Sequence, residues 1–367
     1  MRKTIKFKIY IILLLSLSAI LISGILFNSK TINKKEIYSL KNYLNNEKYP
    51  YDYWKTSTPE KEGLDINKLR NMLKYIDNNR YDINSLLIIK NGYMIFERYA
   101  KSQMKQLTPD DTHQVYSTTK SIISSLIGIA IKENYIKNEN EKMITFFKDY
   151  KIDNLTEDKK NITIKDILLM KSGIHWDMNK DDRAYYDLSY VLNKKMEAKP
   201  GDKWHYNTGS SHLLSGIIYY ATGLTPLEYA NKTLFKSLGI KNAEWQADKN
   251  GIHYGGWGLL LKPRDMAKFG LLYLKKGKFN NKQIVSEEWA EKSVKNHTGT
   301  YWSGDYGYHW WVPELGGFAT RGLNGQNIYI LPEKNIVVVF TSNLPADKAD
   351  MILEKIMSIY LIPACKN

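Results

Sequence analysis

Two runs of strand-forming residues near opposite ends of the chain constrain the fold more than any other feature. Leu86-Leu87-Ile88-Ile89, then Asn91-Gly92, then Tyr93-Met94-Ile95-Phe96 reads as a β-hairpin, because Asn-Gly supplies the positive φ angles that a two-residue turn needs. Far downstream, Ile328-Tyr329-Ile330 and Ile336-Val337-Val338-Val339-Phe340 flank Pro332-Glu333-Lys334-Asn335, a second strand pair about a turn. Apolar spacing predicts helices at Asp65–Asn78 and at about Lys348–Leu361, and the region between the strand pairs is helix-rich. One sheet drawn from both chain ends, interrupted by a helical insertion, satisfies all of this. The expected fold is therefore α/β (α+β): an antiparallel sheet flanked by helices, with an inserted all-helical domain. The sheet part is expected at about 61–110 and 251–361, and the helical part at about 111–250.

The N-terminus reads as an export element. Arg2, Lys3, Lys6 and Lys8 precede an uncharged stretch from Ile9 to Phe27, which as a helix would span roughly 28 Å, close to the apolar thickness of a bilayer. The basic flank places the start of the chain in the cytoplasm. Residues 1–28 are thus expected to be a signal or transmembrane segment, followed by a polar stalk at 29–60 and a catalytic domain at 61–361. The location implied is the cell membrane, single-pass, with the catalytic domain outside the cytoplasm. Ser23 and Gly24 are small enough for cleavage, which leaves secretion as the alternative.

Composition then narrows the function classes. A chain with 43% hydrophobic and 25% charged residues is an ordinary globular protein, neither disordered nor fibrous. One cysteine, Cys365, excludes an internal disulfide and cysteine-based metal sites. His205 and His212 are spaced for one helix face but form no metal motif, so no metal and no cofactor is expected. The formal charge of +15 invites a nucleic-acid reading. An exported basic body instead meets anionic wall polymers and lipid headgroups, and no nucleic-acid-binding module is recognisable.

The chemistry rests on serine and lysine. Ser117-Thr118-Thr119-Lys120 is followed by the apolar run Ser121-Ile122-Ile123-Ser124-Ser125-Leu126-Ile127-Gly128-Ile129-Ala130. Residues three apart share a helix face, so the amine reaches the hydroxyl. Bringing a lysine from its ordinary value to about 7 takes roughly 4.6 kcal/mol of destabilisation of the charged form, which burial on such a helix supplies. A neutral amine beside a serine is a nucleophile–base unit. Ser102-Gln103-Met104-Lys105 has the same spacing in a polar context and is taken as coincidence. Neither G-x-S-x-G nor H-E-x-x-H occurs.

Further segments carry a resemblance. Trp204-His205-Tyr206-Asn207-Thr208-Gly209 places a tyrosine before another apolar helix. Ile162–Gly173, Gly255-Gly256-Trp257-Gly258-Leu259, Pro263-Arg264-Asp265-Met266-Ala267-Lys268-Phe269-Gly270 and Tyr306-Gly307-Tyr308-His309-Trp310-Trp311 complete the pattern. Together with Ser117–Lys120 they resemble the serine β-lactamase/penicillin-binding-protein superfamily, in the class C β-lactamase-like branch of DD-peptidases and esterases. The resemblance spans roughly residues 60–361. It implies the β-lactamase/transpeptidase-like fold, with Ser117, Lys120 and Tyr206 as catalytic residues. It also implies a third wall at Thr320-Arg321-Gly322, where the family carries Lys-Thr-Gly or His-x-Gly.

Two departures bear on the substrate. Thr208 stands where the family has asparagine, and Thr320-Arg321-Gly322 lacks the family's lysine or histidine. Arg321 is the cation available to replace it, but strand alternation sends Thr320 and Arg321 to opposite faces. The oxyanion is expected between the backbone N–H groups of Ser117 and Leu323, with Gly322 a glycine so that substrate can approach the strand edge. The literal Lys171-Ser172-Gly173 is read instead as a helix end, with Gly173 the left-handed cap. Trp310 and Trp311 should face opposite sides, one in the core and one on the pocket wall. Asp265 reads as a helix-terminal anion and Arg264 as a partner for a nearby acid.

The resulting expectation is a serine hydrolase working through an acyl-enzyme on a small-molecule or cell-wall substrate: a D-alanyl peptide, a D-alanyl ester on an anionic wall polymer, or a small ester. Potent β-lactam hydrolysis is disfavoured by the third motif, leaving a weak β-lactamase. The rival from another class is a non-catalytic penicillin- or wall-binding protein that keeps the fold.

Overall fold

The computed structural model describes residues 54–101, 105–183, 186–302 and 304–366. The expected export element, and the stalk up to residue 53, lie outside the described residues. Among the described residues, no helix is long and apolar enough to cross a membrane.

Helix α1 (Ile66–Asn78) begins where expected, because Asp65 caps it by accepting the N–H of Asn67 at 2.8 Å. The hairpin follows as β1 (Ile83–Lys90) and β2 (Tyr93–Tyr99), with Asn91 at φ 54° and Gly92 at φ 85° in the turn. The insertion carries two long buried helices, α2 (Thr119–Lys132) and α3 (Thr208–Thr222), which pack on one another. Helix α4 (Pro263–Leu274) returns the chain to the sheet. The short strands β3 (Thr298–Gly299), β4 (Asp305–Tyr306) and β5 (Trp311–Val312) come next. The last strands are β6 (Phe318–Thr320), β7 (Asn327–Leu331) and β8 (Ile336–Ser342), followed by helix α5 (Ala349–Ile356).

The sheet order is β2-β1-β8-β7-β6-β5-β4-β3, antiparallel throughout. The first hairpin is thus zipped to the last strand, with Ile88 opposite Val338 and Leu87 opposite Val339. Seven of the eight residues of β1 and all of β8 are buried, so both faces of the sheet centre are covered. Gly270 lets α4 settle on one face; a Cβ there would lie 2.5 Å from Val337.

Several local expectations shift. Trp54 is buried, and the main chain of Lys55 and Ser57 bonds to Met94, so residues 54–60 dress the sheet edge. The C-terminal helix runs without a break from α5 through a wider turn at Met357–Leu361 to a last turn at Ile362–Ala364, three residues past its expected end. The segment before Lys171 ends as a helix at Leu168, and the left-handed residue beyond its end is Met170 at φ 59°. Gly173 is also left-handed, but its place is dictated by contact: a Cβ would lie 2.2 Å from the carbonyl of Ala198. A small sheet of His113–Gln114, Leu259–Leu261 and Glu244–Trp245 ties the chain before α2 to the chain before α4. That link positions the site.

Candidate active site

Ser117 lies in a single 3-10 turn, Tyr116–Thr118, that feeds directly into α2. The turn is entered through Tyr116 at φ 46°, a conformation that costs a bulky residue of the order of 1–3 kcal/mol and is held by the surroundings. Val115 anchors it by donating to the carbonyl of Leu259 at 2.9 Å. Ser117 is therefore aimed by the small sheet and by strained backbone, neither of which the Ser-x-x-Lys spacing discloses.

Lys120 is 1% exposed. Its Nζ lies 3.1 Å from Ser117 Oγ, 2.9 Å from the Gly256 carbonyl and 3.5 Å from Thr208 Oγ1. Burial lowers it to about 7, partly opposed by the Asp182 carboxylate. A neutral amine has two N–H bonds and one lone pair. With Gly256 accepting one N–H, the lone pair can turn to the serine hydroxyl. Ser117 itself is only half-buried, so the hydroxyl is open while the amine beside it is dry.

Tyr206 is the third side chain at this point. It hydrogen-bonds Ser117, and its ring centroid is 4.7 Å from Lys120 Nζ. Burial pushes its hydroxyl well above the ordinary phenol range, so it rests as a phenol. The loop that carries it is held by Asn207, which caps α3 through Ser210 N and donates to the Ile174 carbonyl at 2.8 Å. Thr208, in the family asparagine's place, is the residue whose hydroxyl reaches Lys120.

The third wall divides. Thr320 points into the body: its Oγ1 lies 2.9 Å from Thr118 Oγ1 and accepts from Ile328 N at 3.2 Å. It pins β6 to the nucleophile turn and does not reach into the open side of the site. Arg321 faces the other way, paired with Glu354 and 3.8 Å from Asp350, its guanidinium 4.6 Å from the Trp311 ring. Gly322 is glycine for a different reason from the one expected: a Cβ would lie 2.4 Å from the Val115 carbonyl. Close packing on the nucleophile segment, more than substrate access, demands it. Leu323 follows on the rim, 50% exposed.

Because Arg321 is engaged by two acids, Arg321→Met is expected to lower stability by about 3 kcal/mol, the usual cost of breaking a buried pair on one side. Its KM for a carboxylate-bearing substrate should change no more than that for a neutral ester. Thermal melts and parallel kinetics check this.

The two histidines have separate partners: His205 meets the Trp176 carbonyl at 2.8 Å and His212 meets Asp248 at 3.0 Å. Among the described residues no three His, Cys, Asp or Glu converge on a metal-sized space. Trp310 stacks on Phe269 in the core, whereas Trp311 stacks 6.1 Å from Tyr206. Arg264 grips Glu97 through two hydrogen bonds, and Asp265 pairs with Lys268 in the first turn of α4. Three neighbours of these side chains were given no role in the sequence reading. Gly256 supplies the amine's acceptor, Asp182 is held by Trp176 Nε1 at 2.7 Å, and Trp302 packs on Tyr206. Of these only the Gly-Gly pair carries a sequence signal: Cβ atoms at 255 and 256 would strike the Ser211 carbonyl and Thr208.

Comparison with known proteins decides the family. The Beta-lactamase family profile matches residues 82–356. The chain belongs to the Beta-lactamase family. Among its relatives is the 6-aminohexanoate-dimer hydrolase of Paenarthrobacter ureafaciens, 21% identical over 294 residues that cover 71% of this chain and 73% of that protein. A solved Bacillus anthracis structure with a provisional 6-aminohexanoate-dimer hydrolase assignment superposes with a TM-score of 0.68 at 25% identity, covering 80% of this chain and 81% of that one. The octameric penicillin-binding protein homologue of Pyrococcus abyssi shares the fold, with a TM-score of 0.62 at 21% identity over 80% of this chain and 77% of that one. The β-lactamase/transpeptidase-like fold and its family of hydrolases are thereby established for this chain.

Proposed function

We propose that the chain is an extracytoplasmic serine hydrolase that cleaves an ester or amide through an acyl-enzyme on Ser117. The observation that supports it is a half-buried serine hydroxyl 3.1 Å from a buried lysine amine lowered to about 7. Ser117 Oγ attacks the carbonyl as its proton passes to Lys120. Tyr206, bonded to Ser117 as a phenol, relays that proton to the departing alcohol or amine. In the second half-reaction water attacks the acyl carbon and its proton returns by the same route, freeing the acid. The oxyanion sits between the N–H groups of Ser117 and Leu323, donors of a kind worth about 3–4 kcal/mol each.

The engagement of Arg321 by Glu354 and Asp350 favours neutral esters and amides over substrates gripped by a carboxylate. Small esters and D-alanyl esters therefore rank above D-alanyl peptides and β-lactams. The Paenarthrobacter relative is named a 6-aminohexanoate-dimer hydrolase, which supports hydrolysis as the reaction class. Residues 1–28 and the basic body favour a place at the membrane's outer side, near anionic wall polymers. A substrate panel tests the reading: a D-alanyl ester, a small neutral ester, a D-Ala-D-Ala peptide and a penicillin. Ester turnover at least tenfold above the other two, lost in Ser117→Ala, is the expected result. Binding without turnover across the panel would make the protein a non-catalytic binder.

A further inference from the structure

Trp302 holds an unusual position for an exposed tryptophan. Its ring centroid is 5.2 Å from Tyr206, 5.6 Å from Trp204 and 5.8 Å from Trp311, the last at 25°. Trp204, Tyr206, Tyr306 and Trp311 form one buried cluster with Met170. Trp302 is the edge of that cluster that stays open, 41% exposed, beside Tyr301 at 55%. A large apolar face left in water next to a reactive group is a surface that a ligand can cover with gain.

Its side of the site follows from the proton path. Tyr206 delivers the proton to the leaving group, so the leaving group lies at Tyr206 when the bond breaks. Trp302 packs on that same ring. The charged groups nearby do not suit an anion there: Asp182 is itself anionic and Arg321 is engaged by Glu354.

We infer that Trp302 is the specificity-determining residue for the leaving-group half of the substrate, its open face receiving an apolar, uncharged alcohol or amine portion. This rests on the acyl-enzyme reading above. Ser117 Oγ bonds to the acyl carbon, the bond to the alcohol oxygen or amine nitrogen breaks, and that atom takes the serine proton through Tyr206. The apolar chain attached to it lies on the indole.

Acetate esters of alcohols from methyl to hexyl test it, because all give the same acetyl-enzyme. In the wild type kcat/KM should rise about twofold to fourfold per methylene of the alcohol. Trp302→Ala should flatten that slope, and Trp302→Phe should keep most of it. Deacylation of the shared acetyl-enzyme, measured in single turnovers, should fall far less than hexyl ester acylation, since the alcohol has left by then. An unchanged slope in Trp302→Ala overturns the inference. So do equal losses in acylation and deacylation, which would mean that Trp302 merely props Tyr206. Binding is read separately by titrating hexyl acetate into the Ser117→Ala protein, where adding Trp302→Ala should weaken it about tenfold. Equal affinity, or no binding in either, also overturns it. Failure of the acyl-enzyme reading shows up differently, as no acetyl group on wild-type Ser117 by intact mass.

Discussion

Replacing Lys120 with methionine should cost about 10⁴-fold in kcat/KM, the upper end for loss of a general base, and should also make the protein more stable near neutral pH. Both effects come from one fact, that the amine is buried and lowered to about 7. In the unfolded chain the same amine holds its proton up to about 10.4. Between those values the unfolded state binds more protons, so stability rises with pH across that window. The lysine's cost is therefore full at and below about pH 7 and gone above the unfolded value. A shift of this size corresponds to about 4.6 kcal/mol. Methionine removes that cost but strands the Gly256 carbonyl, at about 1–3 kcal/mol. A net gain of about 2 kcal/mol at pH 7 is expected, shrinking in melts at pH 9. Lys120→Arg should be as inactive as the methionine variant, because a guanidinium keeps its proton. In the wild type, kcat/KM should fall below about pH 7 as Lys120 takes up a proton. Tyr206, pushed far up by burial, sets no limit in the ordinary alkaline range.

The second large effect is expected from Gly322→Ala. The added Cβ would meet the Val115 carbonyl at 2.4 Å and the Gln326 Cβ at 2.9 Å. Val115 has little room to yield. Its N–H bonds Leu259, its carbonyl accepts Thr118 N at 3.1 Å, and Ser117 is two residues on. Overpacking against backbone of this kind costs about 1–3 kcal/mol. The displacement also moves the nucleophile, so acylation should drop at least tenfold. Urea unfolding and ester kinetics on the same preparation read both. Gly316 is a useful control: it is left-handed at φ 90°, and a Cβ there would meet nothing within 4 Å. Gly316→Ala should therefore cost stability through strain alone and spare acylation.

Much of the architecture was legible because it depends on short-range rules. Asn91-Gly92 sets a turn, and the runs around it and around Pro332–Asn335 are apolar enough to be buried strands. Trp310 and Trp311 do pack against different partners, Phe269 and Tyr206, although both are buried and only Trp311 lies in a strand. The Ser117–Lys120 pairing follows from helical spacing, and the arrival of Tyr206 at it follows from the family resemblance. What stayed hidden depends on tertiary placement. Alternation says that Thr320 and Arg321 oppose each other, but not that Thr320 turns to Thr118 while Arg321 is taken by Glu354 and Asp350. Lys159, in the polar helix Glu157–Asn161, looks like a solvated charge. Instead it is buried, donating to the carbonyls of Leu192 and Lys194 and lowered to about 8 by desolvation. The strain at Tyr116 and the contact of Trp302 with Tyr206 leave no trace in local sequence at all.

Peptide mapping of the protein quenched in acid during turnover of a small neutral ester tests the central claim most directly. The account expects one acyl group, carried on the peptide that contains Ser117, forming faster as pH rises through about 7 and lost in both Ser117→Ala and Lys120→Met. An acyl group mapped to another residue, or ester hydrolysis at the wild-type rate by Ser117→Ala, would contradict it.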